Sequence, residues 1–145
     1  MITGWGQHHY DSAAWGMDTE LEGPTYVQSI ADFPKSGLWN VHGDFMVKHE
    51  YKNGITVLTS GGYPNGVRYE GSEGWIFVSR GNYVASSSDP VAVEESKKAL
   101  DASDPKLLSS EIGANETHLY KIDEQHGNWL DCIQSRKQPI SPVDI

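Results

Sequence analysis

Hydrophobic and polar residues alternate in the middle of the chain, which predicts β-strands there. The clearest pair covers residues 45–51 and 55–60, on either side of Asn53 and Gly54. Asn-Gly suits a two-residue hairpin turn, because both central residues of that turn need positive φ. The resulting register divides the side chains between two faces, with Phe45, Val47, His49, Tyr51 and Leu58 on one and Lys48, Glu50, Ile55 and Val57 on the other. Both faces are partly apolar, so we expect one to be covered by helices and the other by a second subunit.

The remaining pattern predicts, in order, a helix over 8–17, a strand over 25–33, a hairpin over 66–79 that turns near 71–74, a strand over 82–86, a helix over 89–100, irregular chain over 101–116 and a helix over 118–136. The buried stripe expected on the last helix consists of Leu119, Ile122, His126, Trp129, Leu130 and Ile133. This order predicts an α+β fold, with a mainly antiparallel open sheet and helices packed on one face. Residues 1–145 are expected to form a single domain.

Composition narrows the range of partners. The 145 residues include 20 acidic and 11 basic side chains, for a formal net charge of -9. This balance argues against a nucleic acid or an anionic membrane surface as partner. The mean hydropathy is -0.52, and no apolar run approaches the roughly 18 residues that a membrane span requires. The lone Cys132 cannot form an internal disulfide. The first residues do not resemble a signal peptide, so the cytoplasm is the default expectation, and a signal preceding this segment would indicate the periplasm.

The densest group of reactive side chains lies at the start of the first predicted helix. It contains Trp5, His8, His9, Tyr10 and Asp11. His8 and Asp11 are three residues apart and share one helix face, together with Trp15. A carboxylate beside an imidazole fixes its tautomer and raises its basicity, which suits proton transfer near neutral pH. The alternative is that Asp11 pairs locally and His8 is an ordinary core histidine.

Metal and cofactor sites are not expected in this chain. Six possible zinc ligands occur in its first third, namely His8, His9, Asp11, His42, Asp44 and His49, but none of them has the tight spacing of a His-Glu-x-x-His helix. The glycine-rich stretch 61–66 connects two predicted strands and contains Pro64, whereas a dinucleotide site needs a strand-to-helix turn. A second cluster consists of His118, Asp123, His126, Asn128 and Asp131. The favoured interpretation is a solvated polar helix face with one semi-buried histidine. Trp39 and Trp75 are expected in the core or in an interface.

Three segments resemble the C-terminal domain of the Gfo/Idh/MocA oxidoreductases, particularly the bacterial subgroup with a double histidine. The segment Gly4-Trp5-Gly6-Gln7-His8-His9-Tyr10-Asp11, with Trp15-Gly16 after it, resembles the helix that opens that domain. The segment Tyr69-Glu70-Gly71-Ser72-Glu73-Gly74-Trp75-Ile76, followed by Arg80-Gly81, is similar to a family hairpin. The segment His126-Gly127-Asn128-Trp129-Leu130-Asp131-Cys132-Ile133, followed by Ser135-Arg136-Lys137-Gln138-Pro139, is similar to a family helix. These segments occur in the family order.

The resemblance implies an enzyme component. Whole members pair this domain with a Rossmann domain that binds NAD or NADP, and many oxidise or reduce a hydroxyl or keto group on a sugar or cyclitol. It implies His8 as the catalytic residue, with Trp5, His9 and Asp11 lining the substrate pocket. It also implies a homo-oligomer formed through the open sheet, with a dihydrodipicolinate-reductase-like fold. The family motif has an aspartate four residues before the histidine, and Gly4 stands at that position.

Two hypotheses of function follow from this resemblance. The first is the substrate-side domain of an NAD(P)-dependent sugar oxidoreductase, whose cofactor domain lies outside this segment, so that the segment alone is expected to be inactive. The second is a non-catalytic carbohydrate-binding or oligomerisation module on the same fold, which the glycine at position 4 favours. Family members also continue beyond Ile145, so we expect the segment to be truncated at both ends.

Overall fold

A computed structural model describes residues 6–17, 22–79 and 99–143, and it confirms the α+β class. Its elements are α1 (Gln7–Met17), β1 (Tyr26–Ala31), β2 (Phe45–Glu50), β3 (Thr56–Ser60), β4 (Val67–Gly71), β5 (Gly74–Val78), β6 (Leu100–Ala102), α2 (Pro105–Leu108) and α3 (Gln125–Ser135). The strand predicted over 82–86 and most of the helix predicted over 89–100 lie outside the described residues. The chain divides into two compact units, Met1–Leu108 and Ser109–Ile145.

The described strands of the first unit form two antiparallel sheets of three strands each, rather than one open sheet. The first sheet has the order β1-β2-β3, and the second has the order β4-β5-β6. Both predicted hairpins are present, β2 with β3 and β4 with β5. The third strand of the second sheet, β6, was not predicted, because Leu100 was assigned to the end of a helix and residues 101–116 appeared irregular in the sequence. The short helix α2 follows it in the same stretch.

The turn between β2 and β3 differs from the two-residue turn expected for Asn-Gly. The Tyr51 amide donates to the Ile55 carbonyl at 2.9 Å, and the Gly54 amide donates to the Tyr51 carbonyl at 3.0 Å. The loop therefore has three residues, 52–54. Only Gly54 has positive φ, at 87°, which is typical of a three-residue hairpin loop that ends in a left-handed residue.

This extra loop residue moves every side chain of β3 to the other face, since successive residues of a strand point to opposite sides. Lys48 pairs with Leu58, and His49 pairs with Val57. The predicted placement of Leu58 beside Val47 was therefore wrong, as was that of Val57 beside Lys48. We call one side the inner face; it carries Val27, Ser29, Ala31, Phe45, Val47, His49, Val57 and Thr59. The other is the outer face, with Tyr26, Gln28, Ile30, Met46, Lys48, Glu50, Thr56, Leu58 and Ser60.

The second unit is built around α3, which begins seven residues later than the pattern predicted. The Glu124 carboxylate accepts hydrogen bonds from the backbone amides of His126 and Gly127, at 2.9 and 2.5 Å, and so caps the helix. The helix ends at Arg136, whose left-handed φ of 59° lets its amide donate to the Cys132 carbonyl. The apolar periodicity at Leu119 and Ile122 therefore precedes the helix.

Asn128 is the buried residue of α3, and the expected apolar stripe is not buried. Leu119, Trp129, Leu130 and Ile133 are exposed, as is His126. The Asn128 amide nitrogen donates to the Tyr120 hydroxyl at 2.6 Å, and its amide oxygen accepts from the Ile140 amide at 3.1 Å. One side chain thus joins the segments before and after the helix, in a unit with little apolar burial.

We expect Asn128→Ala to open the second unit locally. The substitution leaves the Tyr120 hydroxyl and the Ile140 amide without their partner, at a cost of about 2 kcal/mol. Amide hydrogen exchange in α3 should therefore accelerate roughly 30-fold, while exchange in β2 stays unchanged. The exposed Asn40 supplies the matched control, Asn40→Ala, and equal exchange rates in the two variants would contradict this account of α3.

Gly66 lies where no side chain fits. A Cβ at this position would be 2.6 Å from the Val78 carbonyl oxygen and 2.5 Å from the Phe77 ring, which is itself buried. We expect Gly66→Ala to lower the free energy of unfolding by about 2–3 kcal/mol, because a backbone oxygen cannot move aside cheaply. Gly71→Ala is the control in the same hairpin, since its nearest neighbour would be 3.9 Å away. Urea denaturation should separate the two variants, and similar midpoints would refute the predicted clash.

Candidate functional site on helix α1

Helix α1 carries the predicted catalytic group, and Tyr69 of β4 fixes one side of this helix to the second sheet. The Tyr69 hydroxyl donates to the Ser12 carbonyl at 2.6 Å. Its ring lies so close to Gly16 that a Cβ there would approach within 2.7 Å. Glycine at position 16 thus permits the tyrosine to reach the helix backbone. Burial raises the pKa of Tyr69 above its ordinary value, so the phenol remains a hydrogen-bond donor at neutral pH.

Tyr10 fixes α1 to the first sheet, through His49 on the inner face. The two rings meet edge to face, with centroids 5.2 Å apart and planes at 84°, which is a favourable geometry for aromatic pairs. The Tyr10 hydroxyl oxygen and His49 Nδ1 are both buried, and neither has a hydrogen-bond partner within the described part of the chain. The contact therefore stabilises α1 through ring packing and not through a hydrogen bond. The two buried polar atoms without partners oppose this stabilisation, because such atoms are costly.

The electrostatics of this contact favour neutral groups. Burial is the main effect on Tyr10 and raises its pKa. The nearby Thr59 hydroxyl lowers this pKa by less, without forming a hydrogen bond that meets the geometric criteria, and Tyr51 adds a smaller increase. Burial also lowers the pKa of His49. The inner-face strand residues include no carboxylate that could stabilise an imidazolium. A neutral His49 is therefore the form that supports α1.

These two anchors leave the opposite side of α1 exposed to solvent. His8, Asp11 and Trp15 are all exposed and share that side, as their spacing predicted. The alternative of His8 as a core histidine is wrong for this reason. His9 is half-buried and lies on another side of the helix, while Trp5 lies outside the described residues. The structure thus places His8 with Asp11 on one exposed face.

An exposed imidazole and a carboxylate on one rigid helix can exchange a proton with a ligand. An imidazole has two ring nitrogens that can donate or accept a proton, so it can act as either acid or base. The Asp11 carboxylate is exposed on the same side of the helix as His8, so one ligand can be offered both groups. The indole of Trp15 lies farther along the same face, where its ring can stack on an apolar ligand surface.

The glycine-rich stretch does not have the geometry of a dinucleotide-binding turn. The glycine-rich stretch 61–66 connects β3 to β4, so it lacks the helix N-terminus that holds a pyrophosphate in dinucleotide-binding turns. A nicotinamide cofactor therefore has no fitting phosphate turn in this part of the chain.

The six possible zinc ligands are dispersed. His49 faces Tyr10, and the His42 ring packs against Phe45 at 4.8 Å. Among the described residues, no three His, Cys, Asp or Glu side chains gather as metal ligands would.

Within the same residues, no helix has the length and apolar character to cross a membrane.

In the second histidine cluster, both histidines and both aspartates are exposed and Asn128 is buried, so neither histidine is semi-buried as expected. His126 is exposed, and its Nδ1 lies 2.8 Å from the Glu124 carboxylate that caps α3. The two backbone amides at the cap, followed by this imidazole, lower the pKa of Glu124. His118 is also exposed, with Nε2 3.1 Å from the Gly113 carbonyl oxygen. Both imidazoles therefore contact their own local backbone or cap.

Sequence reasoning missed the residues that hold α1 in place. His49 was placed on one face of the first hairpin and considered as a metal ligand, and Tyr69 was considered only as part of a hairpin motif; neither was expected to contact α1. The alternation of Phe45, Val47 and His49 did place His49 on an apolar face, which is the available signal for a buried contact. Nothing local in the sequence indicates that Tyr69 reaches the Ser12 carbonyl, 57 positions away.

We expect the stability of the chain to fall in mild acid because of His49. Burial lowers its pKa in the folded chain below the ordinary 6.5, so the unfolded chain binds more protons in this range. The stabilising contribution is complete above pH 6.5 and is lost as pH falls from 6.5 toward the folded-state pKa. Thermal unfolding followed across this range should show a declining midpoint.

His49→Gln should flatten this decline, since glutamine does not titrate. His42→Gln is the matched control, because His42 packs on Phe45 and makes no α1 ring contact that the structure shows. It should retain the slope of the unsubstituted chain. An unchanged slope in His49→Gln would exclude His49 as the titrating group.

Comparisons of the chain with protein-family models, with curated proteins and with solved structures gave no match. The resemblance to the Gfo/Idh/MocA oxidoreductases therefore depends on the three sequence segments alone.

Proposed function

We propose that this chain is the substrate-side domain of an NAD(P)-dependent oxidoreductase that acts on a hydroxyl or keto group of a sugar or cyclitol. In this proposal the domain has the dihydrodipicolinate-reductase-like fold of the family that its motifs resemble. The nicotinamide would be held by a separate domain, as the family resemblance implies. The role of the present chain is to bind and orient the substrate and to move its proton.

The observation that carries the proposal is the placement of His8 and Asp11. The segment that resembles the opening helix of the family forms α1, and both side chains are on its exposed face. His8 would accept the proton from a substrate hydroxyl during oxidation and return it during reduction, with Asp11 stabilising the charged imidazole. The family resemblance also implies His9 and Trp5 as pocket residues; of these, His9 is half-buried on a neighbouring side of α1. With Gly4 in place of the family aspartate, Asp11 is the carboxylate available on this helix.

The rigid seating of α1 supports this role. Proton transfer requires heavy atoms within about 3 Å of each other, and a helix that pivots would lose that distance. His49 of the first sheet contacts the Tyr10 ring of α1, and Tyr69 of the second sheet donates to the Ser12 carbonyl. The side chains of His8 and Asp11 are therefore presented from a fixed backbone, as productive sites require.

A second candidate function is assembly, and the outer face of the first sheet favours it. Four of its apolar side chains are exposed, namely Tyr26, Ile30, Met46 and Leu58. Gln28, Lys48 and Glu50 lie between them on the same face, and a mixture of exposed apolar and polar side chains also occurs in protein interfaces. In this candidate two copies of the chain pair through their outer faces, either within the enzyme or in a non-catalytic oligomerisation or carbohydrate-binding module. A catalytic domain can also dimerise, so the two candidates are compatible. Turnover distinguishes a dimeric enzyme from a non-catalytic module.

Turnover by the protein that joins this domain to its cofactor domain tests the proposal. A panel of sugars and cyclitols with NAD and NADP should identify a substrate, and His8→Asn should lower kcat by about 100-fold or more, as loss of a general acid–base does. The exposed His118 supplies the control variant, His118→Asn, which should keep full activity. In the isolated chain, NMR titration with the same polyols should perturb α1 amides. No turnover across the panel, or full activity in His8→Asn, would refute the enzymatic role.

A further inference from the structure

Strand β1 lies at one edge of the first sheet, and among the described residues its one partner strand is β2. Five of its six residues are exposed. A sheet edge presents unpaired N–H and C=O groups to any extended segment, so proteins protect their edges with charged side chains, proline, bulges or very short strands. Strand β1 contains neither a charged residue nor a proline. Its edge is therefore open to an additional strand.

The other edge strands in the described part of the chain are better protected. Strand β4 carries Arg68 and Glu70, which form an ion pair at 2.8 Å. Strand β6 has three residues, one of which is Asp101. Strand β3 has no charged residue, but three of its five residues are half-buried. The long, uncharged and exposed edge is thus a property of β1.

The hydrogen bonds of β2 show which backbone groups of β1 face this edge. The Tyr51 amide donates to the Ile55 carbonyl at 2.9 Å, so odd-numbered residues of β2 bond to β3 and even-numbered residues face β1. At the other end, the Asp32 amide donates to the Asp44 carbonyl at 2.9 Å, so the even-numbered residues of β1 bond to β2. The backbone groups left at the edge are those of Val27, Ser29 and Ala31.

We propose that β1 binds an extended segment of a partner protein by antiparallel strand addition, and that this segment carries lysine or arginine near its N-terminal end. In strand addition, backbone hydrogen bonds supply affinity and alternate side chains supply specificity. Val27 and Ile30 lie on opposite faces and are exposed at 52% and 71%, so the added strand gains apolar contacts on both faces. The inference does not depend on the proposed function, because it does not involve α1.

The charges at the end of β1 indicate the chemistry of the partner. Asp32 and Asp44 are both exposed, and the hydrogen bond between their backbones makes them neighbours. Like charges at neighbouring positions on two strands destabilise each other, so a cation beside them is favourable. Lys35 follows in the same connection, and two carboxylates with one ammonium leave residues 32–44 a formal charge of -1. An antiparallel segment begins at this end of β1, which places its basic residues near its N-terminus.

A second copy of this chain fits the edge less well than such a partner. Residues 22–34, which include β1, contain Glu22 and Asp32 but no lysine or arginine. Two β1 strands paired with each other would therefore bring no cation to Asp32 and Asp44. The occupant that the charges favour is a basic segment of a different protein.

Hydrogen exchange of the full chain, followed by NMR, tests this inference with a synthetic peptide. The probe is two lysines followed by alternating valine and threonine. Bound peptide should slow amide exchange at Val27, Ser29 and Ala31, and it should leave Gln28 and Ile30 unchanged, because these two already bond to β2. Failure of the peptide to bind, or protection without this alternation, would overturn the proposal. Protection of the three edge amides in the chain alone would also overturn it, since the edge would then be occupied by the chain itself or by a second copy.

Control peptides separate charge from backbone pairing. Glutamates in place of the two lysines should weaken binding about 10-fold or more, because like charges then meet at Asp32 and Asp44. Methylation of the alternate peptide amides that face β1 should abolish binding, whereas methylation of the other set should be tolerated. Equal binding of the lysine and glutamate peptides contradicts the basic partner, and binding of the first methylated peptide contradicts strand addition.

Two variants of the chain provide the matching test. Ser29→Pro removes an amide that faces the edge, which a strand tolerates where that amide is not bonded within the sheet, and it should abolish peptide binding. Ser29→Thr keeps the amide and should bind as the unsubstituted chain does. Retained binding in a Ser29→Pro chain with an unchanged circular dichroism spectrum would refute strand addition. If Ser29→Pro does not fold, Asp32→Asn with Asp44→Asn decides: it should bind the lysine and glutamate peptides alike, and a retained preference for lysine would overturn the proposal.

Discussion

The position of α1 between two sheets is the constraint on which the first unit depends. Neither sheet is large, and the described core contains few buried apolar side chains, such as Ala13 of α1 and Phe77 of β5. The helix contacts the first sheet through the Tyr10 ring and the second through the carbonyl of Ser12. Two tyrosines on different elements therefore connect three pieces of secondary structure. The side of α1 that these contacts leave exposed is the side that carries His8 and Asp11.

The two anchors have different physical character, which matters for how the helix responds to its surroundings. Tyr69 makes a short hydrogen bond to a backbone carbonyl, and glycine at position 16 gives its ring room. Tyr10 instead makes an edge-to-face ring contact with His49, and each ring carries a buried polar atom that has no hydrogen-bond partner among the described residues. The first anchor is insensitive to mild acid, whereas the second depends on an imidazole that must remain neutral. Solution conditions can therefore loosen one side of α1 while the other remains held.

Local sequence patterns predicted the helices and strands of this chain better than they predicted which segments contact each other. The helix at residues 7–17 and both hairpins follow from periodicity and turn residues within a few positions. Asn53-Gly54 identified the position of the turn. The number of loop residues also depends on which side chains of β3 the register places against the rest of the fold, and contacts between distant segments decide this. The apolar spacing at Leu119 and Ile122 suggested a longer helix, yet the Glu124 cap determines where α3 starts. The site residues His8 and Asp11 were visible in the sequence, while their support by Tyr69 and His49 required contacts between distant segments.

The three-residue loop at 52–54 has a consequence for how this chain can vary. Removal of one loop residue would restore a two-residue turn, and β3 would then present Leu58 toward α1 and Val57 toward solvent. Substitutions inside the loop leave that arrangement intact, provided that Gly54 remains free to adopt positive φ. Insertions and deletions do not, because any odd change in loop length exchanges the two sides of a whole strand. Loop length at this hairpin is thus restricted by parity, so related chains should tolerate changes in its residues far more readily than changes in their number.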